Sequence, residues 1–178
     1  VTNTPGVLTD STADMAWALL MDAARRVSEG DRFVRTRTWG GWGPLQLLGA
    51  DVTGATLGLI GMGRIGRAVA KRAAGFEMNV VYWNRRRLDP EEESALGVEY
   101  CEVDDLLSQR DYVSLHVALH PETTHLIDAT AFAKMKSSAV LVNTARGPVV
   151  DEQALVAALK SGSIAAAGLD VYEHEPAL

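Results

Sequence analysis

Three glycines in the run Gly61-Met62-Gly63-Arg64-Ile65-Gly66 have the spacing of a phosphate cradle. The pattern G-x-G-x-x-G is permissive alone and gains meaning from its flanks, here an apolar run ending at Ile60 and a helical pattern beginning near Ile65. In that setting Gly61 permits a tight turn, Gly63 lets the backbone approach a pyrophosphate, and Gly66 lets helix and strand pack closely. Arg64 and Ile65 open the helix, so unpaired N–H groups and the positive end of the helix dipole face the same place. This chemistry is the binding of a dinucleotide's phosphates.

A second group of residues bears on which dinucleotide. NAD sites usually place Asp or Glu about 20 residues beyond the glycines, where it holds the ribose hydroxyls. Here the corresponding stretch is Tyr82-Trp83-Asn84-Arg85-Arg86-Arg87, with arginines in place of an acid. A carboxylate repels a 2′-phosphate, whereas guanidinium groups bind one bidentately. Asn84, Arg85 and Arg86 therefore predict NADP(H) as the preferred cofactor, with NAD(H) as the alternative. The competing reading is a solvated basic turn, offset by Asp89 and by Glu91, Glu92 and Glu93.

These residues need a scaffold, and the chain supplies short apolar runs alternating with helical stretches. Strands are predicted at 56–60, 79–83, 98–101, 112–117, 139–143 and 165–171, several of them almost continuously apolar, as parallel strands covered on both faces are. Helices are clearest at 65–74 and 151–160, the latter with Asp151 as N-cap and Gly162 just past its end. The alternation predicts an α/β fold, a Rossmann-type doubly wound parallel sheet with flanking helices. Upstream, Ser11 and Asp14 have the spacing of a capping box, and the run from Met15 to Met21 is apolar all round, so that helix expects neighbours on several sides. The run Trp39-Gly40-Gly41-Trp42-Gly43-Pro44 reads as an irregular arm.

Composition narrows the function classes. The 178 residues suffice for one domain with a single core. Seventeen Lys and Arg against 23 Asp and Glu leave a net charge of −6, which argues against a nucleic-acid or anionic-membrane partner. A lone Cys101 excludes an internal disulfide and fits a reducing, cytoplasmic compartment. No apolar run approaches the roughly 18 residues of a membrane span, and the first residues lack the basic start and apolar stretch of a signal peptide.

Four segments together resemble a known family, the D-isomer-specific 2-hydroxyacid dehydrogenases. They are the glycine motif, Asn143-Thr144-Ala145-Arg146-Gly147, the run from Val149 to Leu155, and the run from Ala167 to Pro176, in the family's order and spacing. The Trp39–Pro44 arm and the basic turn look most like the glyoxylate and hydroxypyruvate reductase branch, which typically uses NADPH. The resemblance implies that Arg146 binds the carboxylate and carbonyl of a 2-oxo acid beside the nicotinamide. It also implies that Glu175 holds a histidine by hydrogen bonding and raises its pKa, keeping an acid ready for the carbonyl oxygen. By position, Asp170, Thr144 and Ala145 approach the nicotinamide end of the cofactor, and the resemblance implies that His116 and His120 flank a cofactor-lining loop.

The family places its histidine well beyond Glu-Pro, so none of His116, His120, His125 and His174 is assigned the catalytic role. His116 and His120 are read as loop histidines and not as metal ligands, and no metal is expected. The resemblance further implies that 1–178 is the dinucleotide-binding domain of a larger enzyme, with a hinge-like start at 1–10, a helix and dimerisation-type arm at 11–50, and a core at 56–178 without its last strand. A separate substrate-binding domain lies outside the chain on this reading. The expected reaction is NADPH-dependent reduction of glyoxylate or hydroxypyruvate to the D-2-hydroxy acid in a homodimer, the isolated chain being inactive for want of the histidine. The alternatives are another dehydrogenase of the family, of phosphoglycerate, lactate or phosphite type, and a non-catalytic NAD(P)-binding module.

Overall fold

The structure, a computed structural model, describes residues 6–176. A six-stranded, wholly parallel sheet forms its centre, built from β1 (Thr56–Ile60), β2 (Asn79–Trp83), β3 (Val98–Tyr100), β4 (Tyr112–Leu115), β5 (Val140–Asn143) and β6 (Ala166–Leu169). The order across the sheet is β3-β2-β1-β4-β5-β6, so the direction of winding reverses between β1 and β4. Doubly wound sheets open a crevice at the carboxyl end of such a switch point. Before the sheet come α1 (Thr9–Arg25) and α2 (Val27–Arg35), and the crossovers carry α3 (Arg64–Ala73), α4 (Pro90–Leu96), α5 (Val103–Gln109), α6 (Ala129–Lys134) and α7 (Glu152–Ser161).

Alternation along each strand builds two cores. Leu57, Leu59, Val80, Tyr82, Tyr112, Val140 and Val142 face α1 and α3. Their neighbours Ile60, Val81, Val113, Leu115 and Leu141 join the second core with Leu106, Phe132 and Leu155 of α5, α6 and α7. Because both faces are covered, each strand is apolar at successive positions, and that continuous run is what the sequence displays. The observed strands are shorter than the predicted ones at 98–101, 112–117, 139–143 and 165–171. Single hydrogen bonds, Cys101 N–H to Tyr82 O, His116 N–H to Ile60 O and Asp170 N–H to Asn143 O, carry the pairing one step past the ends before the loops turn away.

The start of α1 departs from expectation. The helix begins at Thr9, and Leu8 occupies the cap position without a side-chain hydrogen bond. Ser11 lies inside the first turn, where its hydroxyl donates to Leu8 O at 3.2 Å. Asp14 serves α3 instead of a capping box: Arg72 donates to Asp14 at 2.8 Å and to Asp10 at 3.2 Å. Nor is the helix buried all round. Ala13, Ala16, Trp17, Leu20 and Ala24 form its buried stripe, while Met15 is exposed. Trp17 fixes the stripe by stacking on Phe76, 4.8 Å between ring centroids, and by donating its indole N–H to Val69 O.

The arm is irregular as expected, and Trp42 and Leu45 are 84% and 80% exposed. Of the hinge-like start at 1–10, residues 1–5 lie outside the described residues, and the helix already begins at Thr9. Residues 177–178 of the expected core likewise lie outside them. Asp151 caps α7 by accepting from Ala154 N–H, and Gly162 closes it in the left-handed conformation, both as predicted. Among the described residues no helix is long and apolar enough to cross a membrane.

Candidate functional site

The glycine turn sits at the switch point. Gly61 has φ +104°, and a Cβ there would lie 2.6 Å from the carbonyl of His116, so only glycine lets β1 turn beneath the loop that follows β4. Its N–H donates to Trp83 O at 2.8 Å. A Cβ on Gly66 would collide with the carbonyl oxygen of Gly61. The close approach predicted for Gly66 is therefore between helix and turn, and not between helix and strand. Gly63 caps α3 without a side-chain partner, and nothing lies within 4 Å of where its Cβ would be. The turn thus offers backbone N–H groups and open space together, beside Arg64 and Ile65 at the start of the helix.

A cleft of about 610 Å³ opens beside this turn, lined by Gly61, Gly63, Asn84, Arg85 and Arg86 together with His116 and Val117. Asn84 is a structural clamp: its Oδ1 accepts from Met62 N–H at 3.2 Å and its Nδ2 donates to Arg86 O at 2.8 Å. Aspartate could accept from Met62 but has no hydrogen to give Arg86. The three arginines do not act alike. Arg85 and Arg86 are exposed and line the cleft, whereas Arg87 is bound to Glu93 through two bonds of 2.8 Å. For Arg87 the offset basic turn is the correct reading.

His116 faces the cleft with its ring tied to Ser114 Oγ at 2.9 Å, and burial pushes its pKa down to about 4, so it is neutral at pH 7. His120 lies in the same lining, its N–H donating to Thr123 Oγ1. Among the described residues no three His, Cys, Asp or Glu side chains come together as a metal site.

Arg146 stands at the carboxyl edge of β5, where parallel α/β sheets present reactive groups. Its turn is held by Asn143, whose Oδ1 accepts from Ala145 N–H and whose Nδ2 donates to Arg146 O, each at 3.0 Å. The guanidinium itself is exposed and contacts only the carbonyl of Ala145, at 2.6 Å, among the hydrogen bonds of the described residues. Beside it Thr144 Oγ1 is buried with no protein partner among the described residues. Gly147 packs so closely on Tyr172 that a Cβ would collide with the Tyr172 carbonyl. This contact brings the loop of Asp170 and Glu175 to the Arg146 turn. Asp170 is exposed, and Glu175 Oε1 accepts from Tyr172 N–H at 2.6 Å. An open glycine cradle and an orphaned buried hydroxyl on the same sheet edge fit a bound dinucleotide.

Sequence reasoning missed one pair in this region. His125 Nε2 lies 2.6 Å from Glu173 Oε1, across 48 residues. Glu173 also exchanges bonds with Glu152, its N–H meeting the Glu152 carboxylate and its Oε2 accepting from Glu152 N–H. His125 N–H donates to Pro148 O, so the loops after β4, β5 and β6 are fastened together. No local spacing signals a pair so distant in sequence. The hydrogen bond raises the His125 pKa above 6.5 and lowers that of Glu173 below 4.5, with Asp151 and Asp128 adding to the first shift. The pair therefore stabilises the fold fully between those ordinary values, and fades as pH rises through the raised His125 value or falls through the lowered Glu173 value. His125→Gln is expected to lower the denaturation midpoint most near about pH 5.5 and least above about pH 9; an equal loss at both would refute the ionic contribution.

Comparison with known proteins sets this geometry in context. Residues 17–178 match the family described as D-isomer specific 2-hydroxyacid dehydrogenase, NAD binding domain. The chain is 58% identical over 178 residues to a glyoxylate reductase of Korarchaeum cryptofilum (strain OPF8), covering 99% of this chain and 53% of that protein. A glyoxylate reductase of Thermococcus litoralis is 54% identical over 180 residues, covering 99% and 54%. Among solved structures, a glyoxylate reductase from Paecilomyes thermophila superimposes with a TM-score of 0.89 at 47% identity, over 98% of this chain and 52% of that one. The chain spans about half the length of the curated relatives it matches.

Proposed function

Because the chain belongs to the D-isomer specific 2-hydroxyacid dehydrogenase family, in its NAD-binding domain, we propose that it is the cofactor-binding part of an enzyme that reduces glyoxylate or hydroxypyruvate with NADPH. The observation that carries this reading is the exposed Arg146 fork, rigidly mounted on the sheet edge that also bears the glycine cradle. Gly61, Gly63, Arg64, Ile65 and Gly66 would hold the pyrophosphate, and Arg85 and Arg86 a 2′-phosphate. Thr144, Ala145 and Asp170 would border the nicotinamide, which when bound supplies the hydride.

On this reading Arg146 orients the 2-oxo acid through its carboxylate and draws charge onto the carbonyl oxygen, as a planar fork of donors suits. Glu175 holds the ring of a histidine that the family pattern puts beyond Pro176, keeping it protonated. His116 is not assigned the proton donor's role: it does not stand at the family's histidine position, and its ring is tied to Ser114 Oγ at 2.9 Å.

The test is cofactor oxidation by the full-length protein with glyoxylate, hydroxypyruvate and pyruvate, together with titration of NADPH and NADH against this chain. Turnover of none of these acids would overturn the reaction, and tighter NADH binding would overturn the cofactor preference. A homodimer fits the exposed Trp39, Trp42, Leu45 and Leu48 of the arm. Light scattering at micromolar concentration is expected to give twice the chain mass, and a monomer would refute it. A cytoplasmic location accords with the free thiol of Cys101.

A further inference from the structure

Glu93 is the only charged residue in the buried class among the described residues, and the proposed reaction does not use it. It lies on α4, 9% exposed, with every side-chain bond directed at Tyr82 of β2 or Arg87 of the turn. Oε1 accepts from the Tyr82 hydroxyl at 2.7 Å and from Arg87 Nε at 2.8 Å, and Oε2 accepts from Arg87 Nη2 at 2.8 Å. The Tyr82 oxygen in turn accepts from Leu88 N–H at 2.8 Å. Arg87 also lies over the Tyr100 ring, 5.4 Å from its centroid. A buried carboxylate without such donors would be costly. With them, Arg87 and then Tyr82 draw the Glu93 pKa down to about 2, and the Tyr82 hydroxyl, desolvated and bonded to Glu93, rises to about 12. The cluster keeps its charges throughout the neutral range.

The consequence is a division among four arginines near the turn. Arg67 is taken by Glu92 at 2.6 Å and Arg87 by Glu93. The side chains of Arg85 and Arg86 make no hydrogen bond or ion pair among the described residues, and both line the cofactor cleft. We propose that Glu93 is a positioning residue for cofactor selectivity: by gripping Arg87 and Tyr82 it fixes the turn from which Arg85 and Arg86 engage a 2′-phosphate. This rests on the NADPH reading above. The bidentate grip is the turn's charge-assisted tie to α4, and such bonds are short, directional and stronger than neutral ones. Loosening it moves the two free guanidinium groups relative to the ribose. NADH has no phosphate at that place, so its affinity does not depend on their position.

Equilibrium titrations of NADPH and NADH against this chain test the proposal. The natural chain is expected to favour NADPH, and Arg85→Ala/Arg86→Ala to abolish the preference. Glu93→Gln is expected to weaken NADPH about tenfold, the equivalent of one charge-assisted contact from Arg85 or Arg86 to the 2′-phosphate, with NADH unchanged. Arg87→Lys retains the charge and loses the fork; it is expected to move the ratio the same way by a smaller factor, and it decides the matter if Glu93→Gln does not fold. An unchanged ratio in the folded variants overturns the proposal, as does a parallel loss of both cofactors, which marks a merely structural role. If the double arginine variant leaves the ratio intact, the NADPH reading itself fails and takes the proposal with it. If that variant abolishes the ratio while Glu93→Gln preserves it, only the role of Glu93 falls.

Discussion

Arg146→Leu is expected to lower kcat/KM for the 2-oxo acid by about a thousandfold in the full-length enzyme, with NADPH affinity within about twofold of the natural value. The size follows from the two roles proposed for Arg146, carboxylate anchor and charged donor to the developing alkoxide, which would be lost at once; removing one preorganised donor alone typically costs about a hundredfold to a thousandfold. The turn itself should survive. Asn143 holds it through the backbone of Ala145 and Arg146, and the guanidinium touches only the Ala145 carbonyl. Arg146→Lys keeps the charge without the fork and should retain part of the activity. Steady-state kinetics and cofactor titration separate the two effects. Activity within tenfold of natural in Arg146→Leu would remove this residue from the chemistry.

What could be read from the sequence is what close approach or burial dictates locally. The glycine spacing is legible because a Cβ at Gly61 or Gly66 meets backbone, an obstacle no rotamer change can remove. The strands are legible because both faces are covered, which leaves few polar letters within them. The Asp151 cap and the Gly162 stop are likewise local to a helix of ten residues.

What stayed hidden depends on which element lies next to which. Arg85, Arg86 and Arg87 are the same letter three times. Only the placement of α4, which packs on β3 and α3 and brings Glu93 to the Tyr82 hydroxyl, removes Arg87 from the set. Asp14 has the spacing of a cap, yet α3 offers Arg72, and the stronger charged partner takes it. Asn84 stands where an acid is expected, and its second task, donating to Arg86 O, becomes visible only once the turn is built. His125 and Glu173 meet across 48 residues, beyond any local pattern.

The second large effect is expected at Gly147. This residue opens a short 3-10 turn, Gly147–Val149, so alanine's own backbone preferences are not the obstacle. The obstacle is the Tyr172 carbonyl and the Glu173 N–H, against which a Cβ has no room. Both are backbone, and Glu173 is fastened to His125 and Glu152, so the loop cannot yield without breaking those bonds. Gly147→Ala should therefore destabilise the chain by about 3 kcal/mol, the upper part of the range for overpacking, read as a fall in denaturation midpoint. In the full-length enzyme kcat/KM should fall more than about a hundredfold if Arg146 has the role proposed for it, because displacement on the order of an ångström at a substrate-positioning group is enough for that. Gly63→Ala is the informative contrast, since its Cβ enters open space on the cleft side of the turn. It should leave the midpoint nearly unchanged and weaken dinucleotide binding, the methyl standing where the proposed cofactor's phosphate would approach. If Gly147→Ala were as stable and active as the natural chain, the Arg146 turn and the Glu175 loop would not be coupled through this contact, and their joint placement would need another cause.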